Sequence, residues 1–309
     1  MPQIIGVGES DVDIFLKIRK MPGKGEKTRA VEIGKLPGGI IGNFCAGVAK
    51  HGVSCGIVSV VGDDAYGTIA LDDYQDRGID TTNLLVKEGK PTFYCVVFVD
   101  ESGEKYLTAV ESPLISPEHK DIDFEYLRTA QFVHMCSMDY ELAKFVSQGL
   151  AGTNTKVSMD YEAHAQNGGY EQWKPIFQNT RILFINEDGM NSLFENLSLD
   201  KGAEKLLSTG IEMVILTMGE QGGRVYTGKT SRAYKAFKVH KVVDTTGAGD
   251  CFNAAFLSGI VQGKDLEENM RYAAAASALS IQKLGARTGL PTPQEIQMFL
   301  ESNPELIII

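Results

Sequence analysis

Five cysteines, five histidines and one tryptophan are all that a chain of 309 residues contains of those types. Cys45, Cys55, Cys95, Cys136 and Cys251 form no CxxC pair and sit inside apolar segments. That pattern describes small buried hydrophobes in a reduced compartment and argues against a disulfide framework or a thiolate zinc site. His51, His119, His134 and His240 show no metal-ligand spacing and read as structural. No apolar run reaches membrane-spanning length, and internal repeats and low-complexity tracts are missing. Basic residues are the minority, 30 Lys and Arg against 40 Asp and Glu, for a net charge of −10, and they form no stripe. A nucleic-acid partner is disfavoured, and any bound polyanion must be held by local donors. The start, MPQIIGVGESDVDIF, turns acidic too soon for a signal peptide. A soluble, cytoplasmic protein without a membrane partner is expected.

What the chain does have is 43% hydrophobic residues in alternating strand and helix patterns. QIIGVG, CGIVSVVG, RILFIN and MVILTMG read as buried strands, and NFCAGVAKHG, KGAEKLLSTG and DLEENMRYAAAASALSIQKLG as helices. HKVVD reads as one more strand, and a last helix is expected to begin at Thr292-Pro293, where Thr can cap and Pro can fill the first helical position. The alternation predicts an α/β fold with a mostly parallel sheet covered on both faces. Two stretches differ. DIFLKI with TRAVEIG, and TFYCVVFV with YLTAV, predict a small β-sheet made from separated pieces, residues 11–36 and 91–112. Residues 1–10, 37–90 and 113–309 would form the large domain.

KVVDTTGAGDCFNAAF, residues 241–256, places Gly247, Ala248 and Gly249 at the start of a helix. Converging backbone N–H groups and the helix dipole suit an anion there. A plain helix start, with Asp250 beside the first-turn amides, fits the same letters. No GxxxxGK[ST] occurs, and Phe252 stands where a dinucleotide fingerprint needs its third glycine. Asp250 gains a role if the anion is in transit. A carboxylate there can take the proton of an attacking hydroxyl while the amides stabilise a transferring phosphoryl group.

DTTGAGDCF resembles the C-terminal signature of the ribokinase-like (PfkB) carbohydrate kinase family. Residues 36–80, LPGGIIGNFCAGVAKHGVSCGIVSVVGDDAYGTIALDDYQDRGID, resemble its N-terminal signature, with Ile40-Ile41 where small residues or Pro are common. The resemblance implies a three-layer α/β/α domain with a small β lid, and ATP-dependent phosphorylation of a sugar hydroxyl. It implies Asp250 as base, Gly247, Ala248 and Gly249 as anion hole, and Mg²⁺ accompanying ATP. Asp244 and Thr246 would help bind a monovalent cation, K⁺ being one such ion. Asp11, Asp13, Gly39 and Asn43 match positions that contact substrate, although Asp11 and Asp13 read alone could be a solvated acidic loop and Asn43 a helix cap. Asn186, Thr217, Gly219 and Gly222 match nucleotide positions, ATP running past Thr217 and residues 283–289.

Departures from the family pattern are local. Asn186 is followed by Glu187, Asp188 and Gly189, so N-x-x-E has lost its last carboxylate. Asp160, Glu162 and His164 stand where D-x-N-x-R is frequent, removing an Arg, and Ala273 replaces a frequent Asn. An unphosphorylated pentose or hexose is the first substrate expected. Lys24, Lys27, Arg29 and Lys35 keep a sugar phosphate open, and a nucleoside would need an aromatic shelf such as Phe93 or Tyr94. The altered N-x-x-E motivates a different class, a non-catalytic sugar-responsive binding protein, which the intact GAGD turn opposes. Exposed lid edges allow a homodimer through the lid; a monomer is equally allowed.

Overall fold

Residues 55–62, CGIVSVVG, are buried at every position, as happens to a strand only when layers cover both its faces. The same holds along most of the central sheet of this computed structural model, which describes residues 1–163 and 168–304. In chain order the strands begin with β1 (Ile4–Val7), β2 (Asp11–Ile18), β3 (Ala30–Gly38), β4 (Cys55–Gly62), β5 (Asp80–Lys87), β6 (Tyr94–Val99) and β7 (Lys105–Val110). They continue with β8 (Phe132–Cys136), β9 (Lys156–Tyr161), β10 (Ile182–Asn186), β11 (Met213–Thr217), β12 (Gly223–Thr227) and β13 (Ser231–Tyr234). The helices are α1 (Ile40–Lys50), α2 (Ala65–Asp76), α3 (Phe124–Leu127), α4 (Tyr140–Gly149) and α5 (Tyr170–Phe177). After them come α6 (Glu187–Leu193), α7 (Leu199–Leu207), α8 (Ala248–Val261), α9 (Leu266–Ser280) and α10 (Pro293–Ser302). No helix among the described residues is long and apolar enough to cross a membrane.

Nine strands form one sheet in the order β13-β12-β11-β10-β9-β8-β1-β4-β5, parallel except at the β11-β12-β13 edge. Successive strand residues point to opposite faces, so Ile4 and Phe184 enter one apolar layer while Ile5 and Leu183 enter the other. Phe44, Phe256 and the Ala273–Ala276 run fill the first layer; Trp173, Phe177 and Val146 fill the second. From β1 the chain builds outward to β4 and β5, then returns to place β8 on the opposite side. The order therefore reverses between β1 and β8, and the crevice at the carboxyl ends of those strands is where such sheets bind ligands.

The four-stranded sheet β3-β2-β6-β7 is built from the two separated pieces of chain. The central pair β2-β6 is parallel and the outer pairs are antiparallel. β3 runs on to Gly38, two residues past the boundary expected at 36. Pairing puts Asp13 opposite Cys95 and Val99 opposite Lys105, so these side chains share a face. Lys105 forms an ion pair from that face with Asp244 of the large domain, whose carboxylate is wholly buried while Lys105 is 24% exposed.

One expected strand is not one. Residues 240–244, HKVVD, join no sheet. The N–H groups of Val243 and Asp244 both donate to the Ile281 carbonyl, just past α9, at 2.8 and 3.1 Å, and Val242 is 56% exposed. The segment is hooked onto a helix end, so Val243 and Asp244 satisfy their amides without an apolar layer to enter. The last helix begins at Pro293 with Thr292 as its cap and Glu295 closing a capping box.

Helices α1 and α8 cross closely because Gly47 carries no side chain: a Cβ there would lie 2.6 Å from the Ala254 Cβ. Gly47→Val should lower the unfolding free energy by about 1–3 kcal/mol through overpacking, read by urea denaturation; an unchanged midpoint would mean the helices separate freely. Lys105→Met leaves the Asp244 carboxylate with its backbone donors but no counter-ion, and should cost about 1–3 kcal/mol in the same assay. A loss under about 0.5 kcal/mol would mean the pair is solvent-screened and does not fasten the small sheet.

Candidate active site

Two helix N-termini meet the carboxyl end of β1. Gly39 caps α1 with φ 83° and Gly247 caps α8 with φ 73°, left-handed values that favour glycine. Space requires glycine as well. A Cβ on Gly39 would lie 2.9 Å from the Ser10 Cα, and one on Gly247 would lie 2.5 Å from the Ala286 Cβ. At Gly249 a Cβ would meet nothing within 4 Å, so this residue opens onto the crevice. Ala248 donates to the Thr245 carbonyl and Cys251 to that of Gly247. The N–H groups of Gly249 and Asp250 find no acceptor among the described residues. Two free amides at the positive end of a 14-residue helix, one of them on exposed Gly249, suit an anion.

Asp250 lies in that same turn, 7% exposed. Its Oδ2 accepts from Asn43 Nδ2 at 2.9 Å. Burial, then the neighbouring charges of Glu162 and Glu9, push the carboxyl up to about 8, while the Asn43 hydrogen bond and the Arg287 charge act the other way. Such a group takes a proton readily near neutral pH. Asn43 is the fourth residue of α1 and not its cap. Its Oδ1 accepts from Arg287 Nε at 2.9 Å, which leaves one N–H of its amide for a ligand.

Asp11 and Asp13, at the start of β2, are each 5% exposed, so they are not a solvated loop. The Cys95 thiol donates to Asp11 Oδ2 at 3.5 Å, and one ligand atom each from Asp11, Asp13 and Cys95 falls within a 4.8 Å cluster. Glu9 completes the group: its Oε1 accepts from the first amide of α1, Ile40 N, at 3.0 Å. Burial raises Glu9 to about 7 and Asp13 to about 6, and burial with the charges of Asp13 and Glu9 holds Asp11 well above the usual carboxylate range. Among the described residues Glu9 Oε2 and Asp11 Oδ1 are buried without a hydrogen-bond partner. Two orphaned acceptors in an acidic crevice call for a ligand rich in O–H or N–H donors.

Asn186 and Thr217 are register partners at the carboxyl ends of β10 and β11. Asn186 Oδ1 caps α6 by accepting from Gly189 N at 2.7 Å, with Glu187 and Asp188 exposed in the first turn. Gly219 and Gly222 have φ 54° and 95°, and the tight loop they form closes when Met218 N donates to the Gly222 carbonyl at 2.8 Å. Asp244 accepts from Thr246 N at 2.9 Å and Gly285 N at 2.7 Å in addition to its pair with Lys105. It thereby ties the approach to the glycine turn to residues 284–288. The Lys105 ammonium and the Thr246 and Gly285 amide donors hold Asp244 below the ordinary carboxylate range despite burial.

Asp250, Asn43, Gly39, Asp11, Asp13 and the 247–249 turn thus gather at one crevice, while Asn186, Thr217, Gly219 and Gly222 lie farther along the same edge of the sheet. His164 lies outside the described residues. Asp160 is buried at the end of β9, where its Oδ2 accepts from Asn253 Nδ2 at 2.8 Å. The structural reading suits His134, stacked on Phe44 with ring centroids 3.8 Å apart and bonded to Ser158 Oγ at 2.9 Å. Sequence reasoning passed over Glu9, Cys95, Lys105 and Arg287. The opening stretch was read for its early acidity and residues 283–289 for their place beside ATP; nothing in either spacing says that a charge is buried.

A family model for pfkB family carbohydrate kinases matches residues 1–293. The solved structure of a ribokinase from Thermotoga maritima is 30% identical, with a TM-score of 0.88 over 97% of this chain and 100% of its own. An Arabidopsis thaliana ribokinase complexed with ribose and ATP is 26% identical, with a TM-score of 0.83 over 97% and 99%. A nucleoside kinase of Methanocaldococcus jannaschii is 26% identical over 98% of each chain. With the paired sheets, the glycine turn and its buried carboxylate in place, the chain belongs to the pfkB family of carbohydrate kinases, enzymes that transfer a phosphoryl group to an alcohol.

Proposed function

We propose that the enzyme transfers the γ-phosphoryl group of ATP to a hydroxyl of a small unphosphorylated sugar, a pentose or hexose. The observation that carries this reading is the first turn of α8. It offers two amides without acceptors and, in the same turn, a buried carboxylate held near 8. Asp250 takes the proton of the attacking hydroxyl as the bond to phosphorus forms, and the Gly249 and Asp250 amides face the charge on the transferring group. Gly247 and Ala248 shape the turn. Sugar hydroxyls donate to Asp11, Asp13 and Glu9, and the orphaned oxygens of Asp11 and Glu9 need such donors. The 247–249 turn lies between that acidic pocket and the strand ends with Asn186, Thr217, Gly219 and Gly222, where ATP is placed.

A phosphorylated sugar is the less favoured acceptor. Arg287, the guanidinium nearest the pocket, is fully buried and committed to Asn43, Asp73, Tyr74 and Gly38. Glu187 and Asp188 are the carboxylates open at the end of β10 to hold the Mg²⁺ that comes with ATP, which would neutralise phosphate charge beside an acidic pocket. At Asp244 the cation in contact is the Lys105 ammonium, beside which Asp244 and Thr246 would help hold a K⁺. Closure of that sheet over the sugar would exclude water and limit ATP hydrolysis.

ADP release with Mg-ATP is to be measured across unphosphorylated sugars, sugar acids, sugar phosphates and nucleosides. A strong response to a pentose or hexose is expected, with kcat reduced about 10²–10⁴-fold in Asp250→Asn at nearly unchanged ATP affinity. Wild-type kcat in that variant would remove Asp250 as the base, and a response confined to nucleosides or sugar phosphates would overturn the substrate class. Only the ionised carboxylate accepts a proton. Because its free-enzyme value lies near 8, kcat/KM should rise with pH through that region and fall as pH drops below it. A flat profile between about pH 6 and 9 would contradict a base so placed.

A further inference from the structure

Arg287 is nowhere exposed to the crevice, yet it is the cation set among the acidic groups of the pocket. Its side chain is 2% exposed, and every arm of its fork is engaged. Nε donates to Asn43 Oδ1 at 2.9 Å, Nη1 to Asp73 Oδ2 at 2.6 Å, and Nη2 to the Gly38 carbonyl and, at 3.3 Å, to the Tyr74 hydroxyl. Asp73 is fixed in turn by Arg77, whose Nε reaches both carboxylate oxygens at 3.0 Å. Room for the guanidinium exists because position 42 is glycine: a Cβ there would collide with Arg287 Nη2 and the Tyr74 hydroxyl.

An arginine donates and never accepts, so the end of the Asn43 amide that faces it must be the oxygen. The NH₂ end is therefore turned toward Asp250, where Nδ2 meets Oδ2 at 2.9 Å. A flipped amide would set NH₂ against guanidinium and oxygen against carboxylate, losing both bonds. We infer that Arg287 is a positioning residue for the base: through Asn43 it occupies Oδ2 of Asp250 and reserves Oδ1 for the substrate hydroxyl. The inference rests on the role proposed for Asp250.

Charge adds a second consequence. The charged groups that act on Asp250 are Glu162, Glu9 and Arg287, and its own charge is felt by Asp160 and the Cys251 thiol. Among these Arg287 is the one cation, and it opposes protonation of Asp11 and Asp13 as well. Its removal leaves a buried acidic ring without that counter-charge, so the carboxyl of Asp250 rises further.

The test compares Arg287→Gln, Arg287→Lys, Asn43→Ala and the Arg287→Gln/Asn43→Ala double variant, with Asp250→Asn in parallel. Arg287→Gln should lower kcat about 10–100-fold, leave KM for ATP within about twofold, and move the acid limb of kcat/KM to higher pH. The double variant should lose no more than the more impaired single variant, as expected of residues acting through one contact. Lysine restores the charge but not the fork, so Arg287→Lys should return the acid limb toward the wild-type position while kcat stays low. Wild-type kcat with an unmoved limb, or losses that multiply in the double variant, would overturn the inference. If Arg287→Gln does not fold, Arg287→Lys decides alone: wild-type kcat there overturns the positioning role. An active Asp250→Asn would sink the base assignment itself, whereas an inactive one beside normal Arg287 variants would sink only this inference.

Discussion

A carboxylate in the first turn of a buried helix must be held against its own desolvation, and much of the site follows from how that is done for Asp250. Helix dipole, Asn43 and Arg287 favour the ionised form; burial, Glu162 and Glu9 oppose it. The opposing side wins. The rise from 3.8 to about 8 corresponds to roughly 6 kcal/mol between the two protonation states, at about 1.4 kcal/mol per unit. The sign for folding follows. A carboxyl raised in the native state binds more protons than it does unfolded, so between pH 4 and 8 this group makes the native state less stable as pH rises. Glu9, Asp11 and Asp13 act in the same direction. The acidic pocket is therefore a destabilised region, and the burden falls on the apolar layers to either side of the sheet.

Helices α1 and α8 are the means by which those layers hold the pocket. Asn43 and Asp250 touch near the helix starts, and four residues farther along each helix Gly47 faces Ala254. One helical turn separates the polar Asn43–Asp250 contact from an apolar contact that sets interaxial distance. A larger residue at either apolar position would spread the helices and lengthen the polar contact above it. The small residues of α1 and α8 thus act on the geometry of Asp250 without touching it.

Legibility in the sequence tracked how local each feature is. Gly247, Ala248, Gly249 and Asp250 are contiguous, and their chemistry follows from a turn that a few letters define. The Thr292 cap and the period-two strands are local in the same sense. HKVVD failed because β-branched residues suit any extended backbone; only the Ile281 carbonyl, far along the chain, decides that no sheet takes them. Arg287 and Lys105 were hidden for a stronger reason. A charged side chain reads as solvated unless a partner buries it, and the partners of Arg287 lie 244 positions away at Asn43 and 214 at Asp73. Lys105 meets Asp244 across 139 positions. The two residues with the most to say about the electrostatics were thus the two whose neighbours carry no short-range signal.

These two cations also divide the work between the layers of the molecule. Arg287 stands behind the pocket, wholly inside the large domain, and its contacts to Gly38 and Asn43 join the end of β3 to the head of α1. Lys105 comes from the opposite side, at the start of β7, and ends on Asp244 three residues before the glycine turn. Asp244 is held by Thr246 and Gly285, so a pull on the small sheet reaches the backbone that shapes the anion cradle. The acidic pocket lies between the two, lined by β2 of the small sheet and by Glu9 of the large domain. A ligand that donates hydrogen bonds to Asp11, Asp13 and Glu9 together bridges the same two parts that Lys105 bridges. Filling the pocket relieves desolvated carboxylates and reinforces an existing tether, so binding of such a ligand and seating of the small sheet over the turn favour each other.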